Sequence, residues 1–571
     1  MLSEEVQIEK EAQSPVFTIK TGTGEAGLSP SQFWEQLRHY YRTASLPKGY
    51  KHQKLVSVFQ SVLGKEVAGK TAIGSQSFFQ ILDEEVAEYQ THINELFKQK
   101  SNDLITALQE LLQVNESPQS IGEVYDFAAE VIAFDKLSGL IPETEGKQLT
   151  KSRSKRLVSV LEKLQQGLKY LEGEMATVIS AETTKVDAKV LSHCQVISSK
   201  DDLFSGIEQS ILEQIAQFIE LIKAFRVATL EVDNTYKEDI HNDYFEHFSW
   251  YQLTSEERQL FHPFIVVAEH EYVVKRLDVY SRLLSTNWPI NFFILNSQVT
   301  SPADEKVSWE DAAHRYRQEL SMFTIAHRNV YTFQSTLVNR DVLLKGTRSC
   351  FQSTGPAMVH ILYDEKDKLI SNAGTASRYF PIINYDPGAD PKAGPRLGLE
   401  GNDQPIKDWP EYELVIDEGI GDSTSLQLPF TYADYKALFP AKVNELLIIP
   451  TDFYSDPHLI ALHEYLALDT VKLIGKVPFI LLTDKDGNLF KAAVPNVWVV
   501  SCQERLDFWQ FLREMARVEG EIKEAEEPKA TPDNNLVAAL RQKHEQEIRL
   551  LKDNAVKQAA EKLLGVLLRD K

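Results

Sequence analysis

Glu269-His270-Glu271 follows directly on the apolar run Phe264-Ile265-Val266-Val267-Ala268, and it is the place in this chain where residue type and position most clearly suggest ligand chemistry. In an open α/β sheet, charged side chains at the carboxyl end of a buried strand line the crevice where ligands bind. A solvated or ion-paired loop would place the same three residues there, and position alone does not separate the two readings. Other groupings carry less. His458 and His463-Glu464 lack the second histidine of an H-E-x-x-H zinc site. Asp484-Lys485-Asp486-Gly487-Asn488 opens like a calcium loop, but its glycine comes too early and no glutamate closes it, so it reads as a turn. Gly22-Thr23-Gly24-Glu25-Ala26-Gly27 has dinucleotide-loop spacing without the acidic residue expected about twenty positions on. The three cysteines, Cys194, Cys350 and Cys502, are each more than 150 residues from the next, too far apart for metal or cluster spacing, and read as small buried hydrophobes.

The elements that would carry these residues follow from period and punctuation. An extended segment, Pro15 to Lys20, is followed from 29 to 250 by mostly helical patterns. One helix opens on Ser29 and Pro30, a cap followed by proline at the first helical position; another runs through Leu203 to Val232 with apolar residues three and four apart. Lys151 to Arg156 is basic and reads as a solvated helix entry. From 251 to about 410 the pattern becomes short apolar runs, FIVVA, INFFILN and AMVHILY, alternating with helices. Buried parallel strands read this way, and the three runs are expected to be neighbours. A small α/β unit follows at 411–520, with NELLIIP, a helix from Asp456 to Leu468, and a hairpin turning at Asp486-Gly487 or Gly487-Asn488. The predicted class is α/β with a helical N-terminal half. The expected divisions are an extended segment at 1–28, a helical domain at 29–250, the parallel α/β domain at 251–410, the small unit at 411–520, a linker at 521–535 and a terminal amphipathic helix at 536–571.

Composition narrows the partners. A formal net charge of −22 gives an acidic surface that DNA, RNA and anionic lipid would repel. No apolar run approaches the ~18 residues of a membrane span, and the opening MLSEEVQIEK has no apolar signal core. The expectation is a cytoplasmic protein without nucleic-acid or membrane partners. The last segment carries Leu540, Ile548, Leu551, Ala555, Ala559 and Leu563 along one helical stripe, with eight Lys/Arg against five Asp/Glu. A stripe at the end of a linker needs a partner surface, so a protein partner or self-association through this helix is expected.

Several blocks come in the order found in a known family. Asn329-Val330-Tyr331, the helix-like run Arg340 to Phe351, and Gly355-Pro356-Ala357 before MVHILY resemble the thiamine-diphosphate domain of pyruvate:ferredoxin oxidoreductases. His262 to Asn296 is similar to that family's strand, cofactor loop, helix and next strand, and Ser377 to Pro387 resembles its Y/W-P-L-Y-R-Y-N-P segment. The resemblance implies a mostly parallel thiamine-type fold over roughly 251 to 415. The family holds Mg2+ through the aspartate of a G-D-G loop, an asparagine further on and a backbone carbonyl. Here Ala268-Glu269-His270 stands at the first position, and Pro302, with Ser301 before it, at the second. Both glycines that let a backbone approach phosphate are absent, and proline offers no side-chain oxygen. The implied crevice residues are therefore Glu269, His270, Glu271 and Ser301, with no thiamine diphosphate, Mg2+ or iron-sulfur cluster expected. The resemblance then implies a non-catalytic interaction or regulatory protein. The alternatives are an active subunit of a 2-oxoacid:ferredoxin oxidoreductase whose thiamine diphosphate and Mg2+ residues are displaced or come from a partner, and a small-molecule enzyme reusing the crevice.

Overall fold

The structure, a computed structural model, describes residues 16–19, 30–43, 55–69, 75–116, 149–173, 176–181, 186, 189–199, 203–204, 206–297, 319–362, 368–392, 394–417, 423–469 and 471–518. All of them belong to one compact unit, Met1–Val518. The 536–571 helix, the 521–535 linker, Ser301, Pro302 and the Gly22 to Gly27 motif lie outside the described residues.

Runs of consecutive apolar residues are buried on both faces of a strand, and that burial organises the larger of two sheets. Phe264–Glu269, Ile290–Asn296 and Ala357–Leu362 are parallel neighbours, as expected from their sequences. The full parallel set, in spatial order, is Cys194–Ser199, Ala176–Ala181, Phe264–Glu269, Ile290–Asn296, Ala357–Leu362 and Tyr331–Thr336. Numbered along the chain, these strands lie in the order 2-1-3-4-6-5. Ile383–Tyr385 and Leu397–Gly398 extend the sheet antiparallel. One face, with Phe264, Val266, Phe292 and Ile294, packs on Ile211, Ile215 and Phe218 of the helix Ile207–Val232. The other, with Ile265, Val267, Phe293 and Val359, packs on Phe78, Leu82 and Val86 of the helix Ser75–Glu116. Each fully buried Phe, Val or Ile contributes about 1.5–3 kcal/mol.

The division expected at residue 250 does not separate helices from sheet, because Ala176–Ala181 and Cys194–Ser199 from the supposedly helical half are strands of this same sheet. Six-residue runs between long helices carry little period of their own, so pairing with Phe264–Glu269 decides their state. The extended segment Val16–Ile19 likewise joins the second sheet, between Glu411–Asp417 and Asn488–Ala493. That sheet runs Ser423–Pro429, Glu411–Asp417, Val16–Ile19, Asn488–Ala493, Val477–Thr483, Leu459–Ala461. Its hairpin turns as expected, with Gly487 at φ +81°, where a side chain would be strained. The helix expected from Asp456 to Leu468 is instead a strand, Leu459–Ala461, paired with Val477–Thr483 and followed by the short helix Leu462–Leu466. Pairing to a neighbouring strand overrides the local helical spacing there.

Arg378, fully buried, stacks over Trp509 at 3.9 Å and donates to the carbonyl oxygens of Asp403, Gln404, Lys407 and Asp408. It thereby anchors the segment that leads into Phe380 and Pro381. Gly346, in the helix Arg340–Gln352, sits so close to the strand Tyr331–Thr336 that an added Cβ would lie 2.3–2.5 Å from the ring of Phe333. Alanine gains ~1 kcal/mol over glycine in a helix. Gly346→Ala is nevertheless expected to destabilise by about 1–3 kcal/mol, because the added methyl would overlap the buried ring of Phe333 and force it to shift. Chemical denaturation measures this, and a stabilised variant would contradict the packing described.

Candidate functional site

Ala176–Ala181 and Phe264–Glu269 lie side by side, yet the chain leaves the first toward Cys194–Ser199 and the second toward Ile290–Asn296, on opposite sides. Such a divergence opens a crevice at the carboxyl ends of the strands. Glu269 is the last residue of its strand, and the helix His270–Val274 begins at the next residue with no loop between them.

His270 turns inward from this edge. Its Nδ1 lies 3.2 Å from Nε2 of His360. The two rings are within 9° of parallel with centroids 5.1 Å apart. Face-to-face contact would bring them to about 3.5–4.0 Å, so the rings meet edge to edge through the nitrogen pair. His360 is buried in the strand Ala357–Leu362, with Phe380 edge-on at 4.8 Å and its Nδ1 3.1 Å from Oε1 of Gln334. Gln334 occupies the paired position on the next strand. The Gln334 Nε2 donates to the carbonyl of Pro381 at 2.9 Å, and its Oε1 also accepts from Ser321 Oγ. Thr332 and Thr324 continue the polar layer between this strand and the helix Leu320–Ala326.

The pattern fixes every proton. Because the Gln334 amide nitrogen must face a carbonyl, its oxygen faces His360, and His360 Nδ1 is the donor. His360 Nε2 is then the acceptor, so His270 donates from Nδ1. The lone pair of His270 Nε2 is left at the outer end of the chain of hydrogen bonds, with no partner among the described residues. Burial holds both imidazoles neutral, lowering the pKa of His270 and driving that of His360 well below its ordinary value.

Glu269, half-buried, has its carboxyl pKa raised, first by burial and then by the neighbouring charge of Glu271. No cation stands within salt-bridge distance of Glu269 among the described residues. Glu271 is exposed and lies 3.7 Å from Lys275. The sequence-derived triplet thus stands at the carboxyl end of this strand, with His270 turned toward His360, whereas Ser301 falls outside the described residues. Ser321, Gln334 and His360 were not singled out by the sequence. The signal for His360 is one polar residue in the otherwise apolar run AMVHIL, and for Gln334 its place in the buried, partly polar run YTFQST, and both become meaningful once the two are known to be paired.

The remaining candidates resolve as structural. All three cysteines are free and buried, and burial raises each thiol, Cys194 and Cys502 to about 12, leaving no reactive thiolate. Asp484 accepts from the backbone N–H groups of Asp486 and Asn488, which makes its loop a turn. The basic cluster is more than a solvated entry, since Arg153 and Arg156 both bind the buried carboxylate of Glu231. Asp83, Ser192 and His193 contact one another with triad residue types. However, Ser192 and Asp83 both address Nδ1 of His193, so the imidazole does not stand between acid and nucleophile as a relay requires. The cluster pins the turn before Cys194–Ser199. Among the described residues there is no group of three or more His, Cys, Asp or Glu able to hold a metal ion, and no helix long and apolar enough to cross a membrane. An apolar groove of about 1390 Å3 lies between the helices Ser75–Glu116, Ile207–Val232 and Glu238–Glu246, with Leu96, Ile240 and Tyr244 exposed at its rim. Compared with known proteins, the chain matches no family model and no curated protein.

Proposed function

We propose that the region from about 251 to 415 is a thiamine-domain-like α/β core that has exchanged cofactor chemistry for binding, and that the protein acts as an interaction or regulatory protein. The observation that carries this reading is at the end of the strand Phe264–Glu269. Where the resemblance to pyruvate:ferredoxin oxidoreductase places a glycine-bounded loop for a metal-bound diphosphate, the strand passes straight into His270–Val274, with Glu269 and Glu271 flanking the first helical residue. Carboxylates at that turn occupy the position whose partial positive charge would favour a phosphate. The residues present therefore do not fit thiamine diphosphate. The arrangement of FIVVA, INFFILN and AMVHILY as parallel neighbours supports the fold half of the reading. The groove with Leu96, Ile240 and Tyr244 at its rim supports the interaction half, because large apolar side chains grouped on one exposed concave surface mark binding surfaces.

The test is catalytic. Full-length protein supplied with pyruvate or another 2-oxoacid, coenzyme A, thiamine diphosphate and Mg2+ is expected to reduce no viologen dye above the background without protein. Turnover dependent on the 2-oxoacid would establish the rival reading, an active oxidoreductase subunit.

A further inference from the structure

We propose that the outer edge of the second sheet receives a second copy of this chain, the strand Ser423–Pro429 pairing antiparallel with itself about a twofold axis. The pairing does not depend on what the edge at Glu269 binds.

The two sheets end in the strands Ser423–Pro429, Leu459–Ala461, Cys194–Ser199 and Leu397–Gly398. Ser423–Pro429 is the longest of them, and among the described residues only Glu411–Asp417 pairs with it. The ladder fixes which backbone groups it leaves open. Phe430 donates its N–H to the carbonyl of Pro410, one step beyond the pair Glu411 and Pro429. Hydrogen-bonded and non-hydrogen-bonded pairs alternate along an antiparallel ladder, so Thr424, Leu426 and Leu428 direct their backbone groups to Glu411–Asp417. Ser423, Ser425 and Gln427 turn theirs outward.

An open edge of this length is ordinarily blunted by charge, by a proline within it or by a bulge. The strand STSLQLP carries no charged residue in a chain that is 25% charged, its proline is its last residue, and its pairing runs one to one without a bulge. The edge is also self-complementary. In the register that sets Ser425 against Ser425 of the second copy, Ser423 faces Gln427 on both sides of the axis, and every outward N–H meets a C=O. The same register brings Leu426 diagonal to Leu426 of the second copy, within reach of long side chains. Leu426 lies on the face of the buried Tyr412 and Leu414 and is nevertheless 40% exposed. A net charge of −22 sets most surfaces of two copies against each other, and an uncharged strand is where they meet with least repulsion.

Sedimentation equilibrium of the full-length protein is expected to show a dimer that dissociates on dilution. Ser425→Lys sets two ammonium groups against each other across the axis, and Ser425→Glu two carboxylates. Each variant alone should raise the dissociation constant about fivefold or more. An equimolar mixture of the two should recover a dimer at least as tight as wild type, a rescue that loss of fold cannot give. Gln427→Pro removes an outward N–H while sparing the ladder to Glu411–Asp417, and it should weaken the dimer as well. A wild-type protein monomeric at every concentration, a dimer unchanged in all three variants, or a mixture no tighter than either charged variant alone would overturn the pairing.

Discussion

Glu231→Leu is expected to destabilise the protein by about 3 kcal/mol, the low end of the cost of breaking a buried ion pair, because both arginines are partly exposed and Arg156 keeps Glu238. Glu231 ends the helix Ile207–Val232 and is 1% exposed. Its two carboxylate oxygens are held by Arg153 Nε at 2.7 Å and Arg156 Nε at 2.6 Å, from the first turns of the helix Lys151–Gly173. Arg156 also reaches Glu238 at 2.9 Å and stacks over Tyr236 at 4.1 Å. One carboxylate thus joins two helices and the loop after them. Removing it leaves Arg153 without a carboxylate and Arg156 with Glu238 alone, whereas the triple variant Arg153→Met, Arg156→Met, Glu231→Leu removes the charges together and should recover most of the loss. Urea denaturation of the single and triple variants measures the difference. A triple variant no more stable than Glu231→Leu would show that the ion cluster is not what makes the single change costly.

Acidification is expected to remove about 3 kcal/mol through His262 alone, since its pKa is lowered by burial from 6.5 to about 4 and each unit corresponds to about 1.4 kcal/mol. Its Nδ1 lies 3.4 Å from Gln90 Nε2, and its Nε2 is buried without a partner. The sign follows from proton uptake. Between pH 6.5 and 4 the unfolded chain binds the proton that the folded protein refuses, so stability is full above pH 6.5 and is lost as pH falls through that window. His360 and His270, also lowered by burial, contribute in the same direction. His262→Phe should flatten the profile between pH 7 and 4 relative to wild type, whatever its effect at neutral pH. Parallel profiles for the two proteins would show that His262 is not the titrating group.

Much of the parallel sheet was legible because burial on both faces leaves a continuous apolar word in the sequence, and FIVVA, INFFILN and AMVHILY are such words. What stayed hidden depends on partners far along the chain. Val16–Ile19 finds its place only between Glu411–Asp417 and Asn488–Ala493, and Leu459–Ala461 is a strand only because Val477–Thr483 lies beside it. The candidate site divides the same way. Glu269, His270 and Glu271 were readable as the charged end of an apolar strand. His360, Gln334 and Ser321 were not, because a buried polar residue acquires meaning only when a neighbouring strand or helix supplies its hydrogen-bonding partner.

Isothermal titration of full-length protein with thiamine diphosphate and Mg2+ tests most directly the proposal that the edge formed by Glu269, His270 and Glu271 does not receive a metal-bound diphosphate. Titration should give no binding heat beyond dilution at micromolar to sub-millimolar cofactor. A micromolar dissociation constant, about −8 kcal/mol, that is lost on removing Mg2+ would contradict it and place a working thiamine site at this edge.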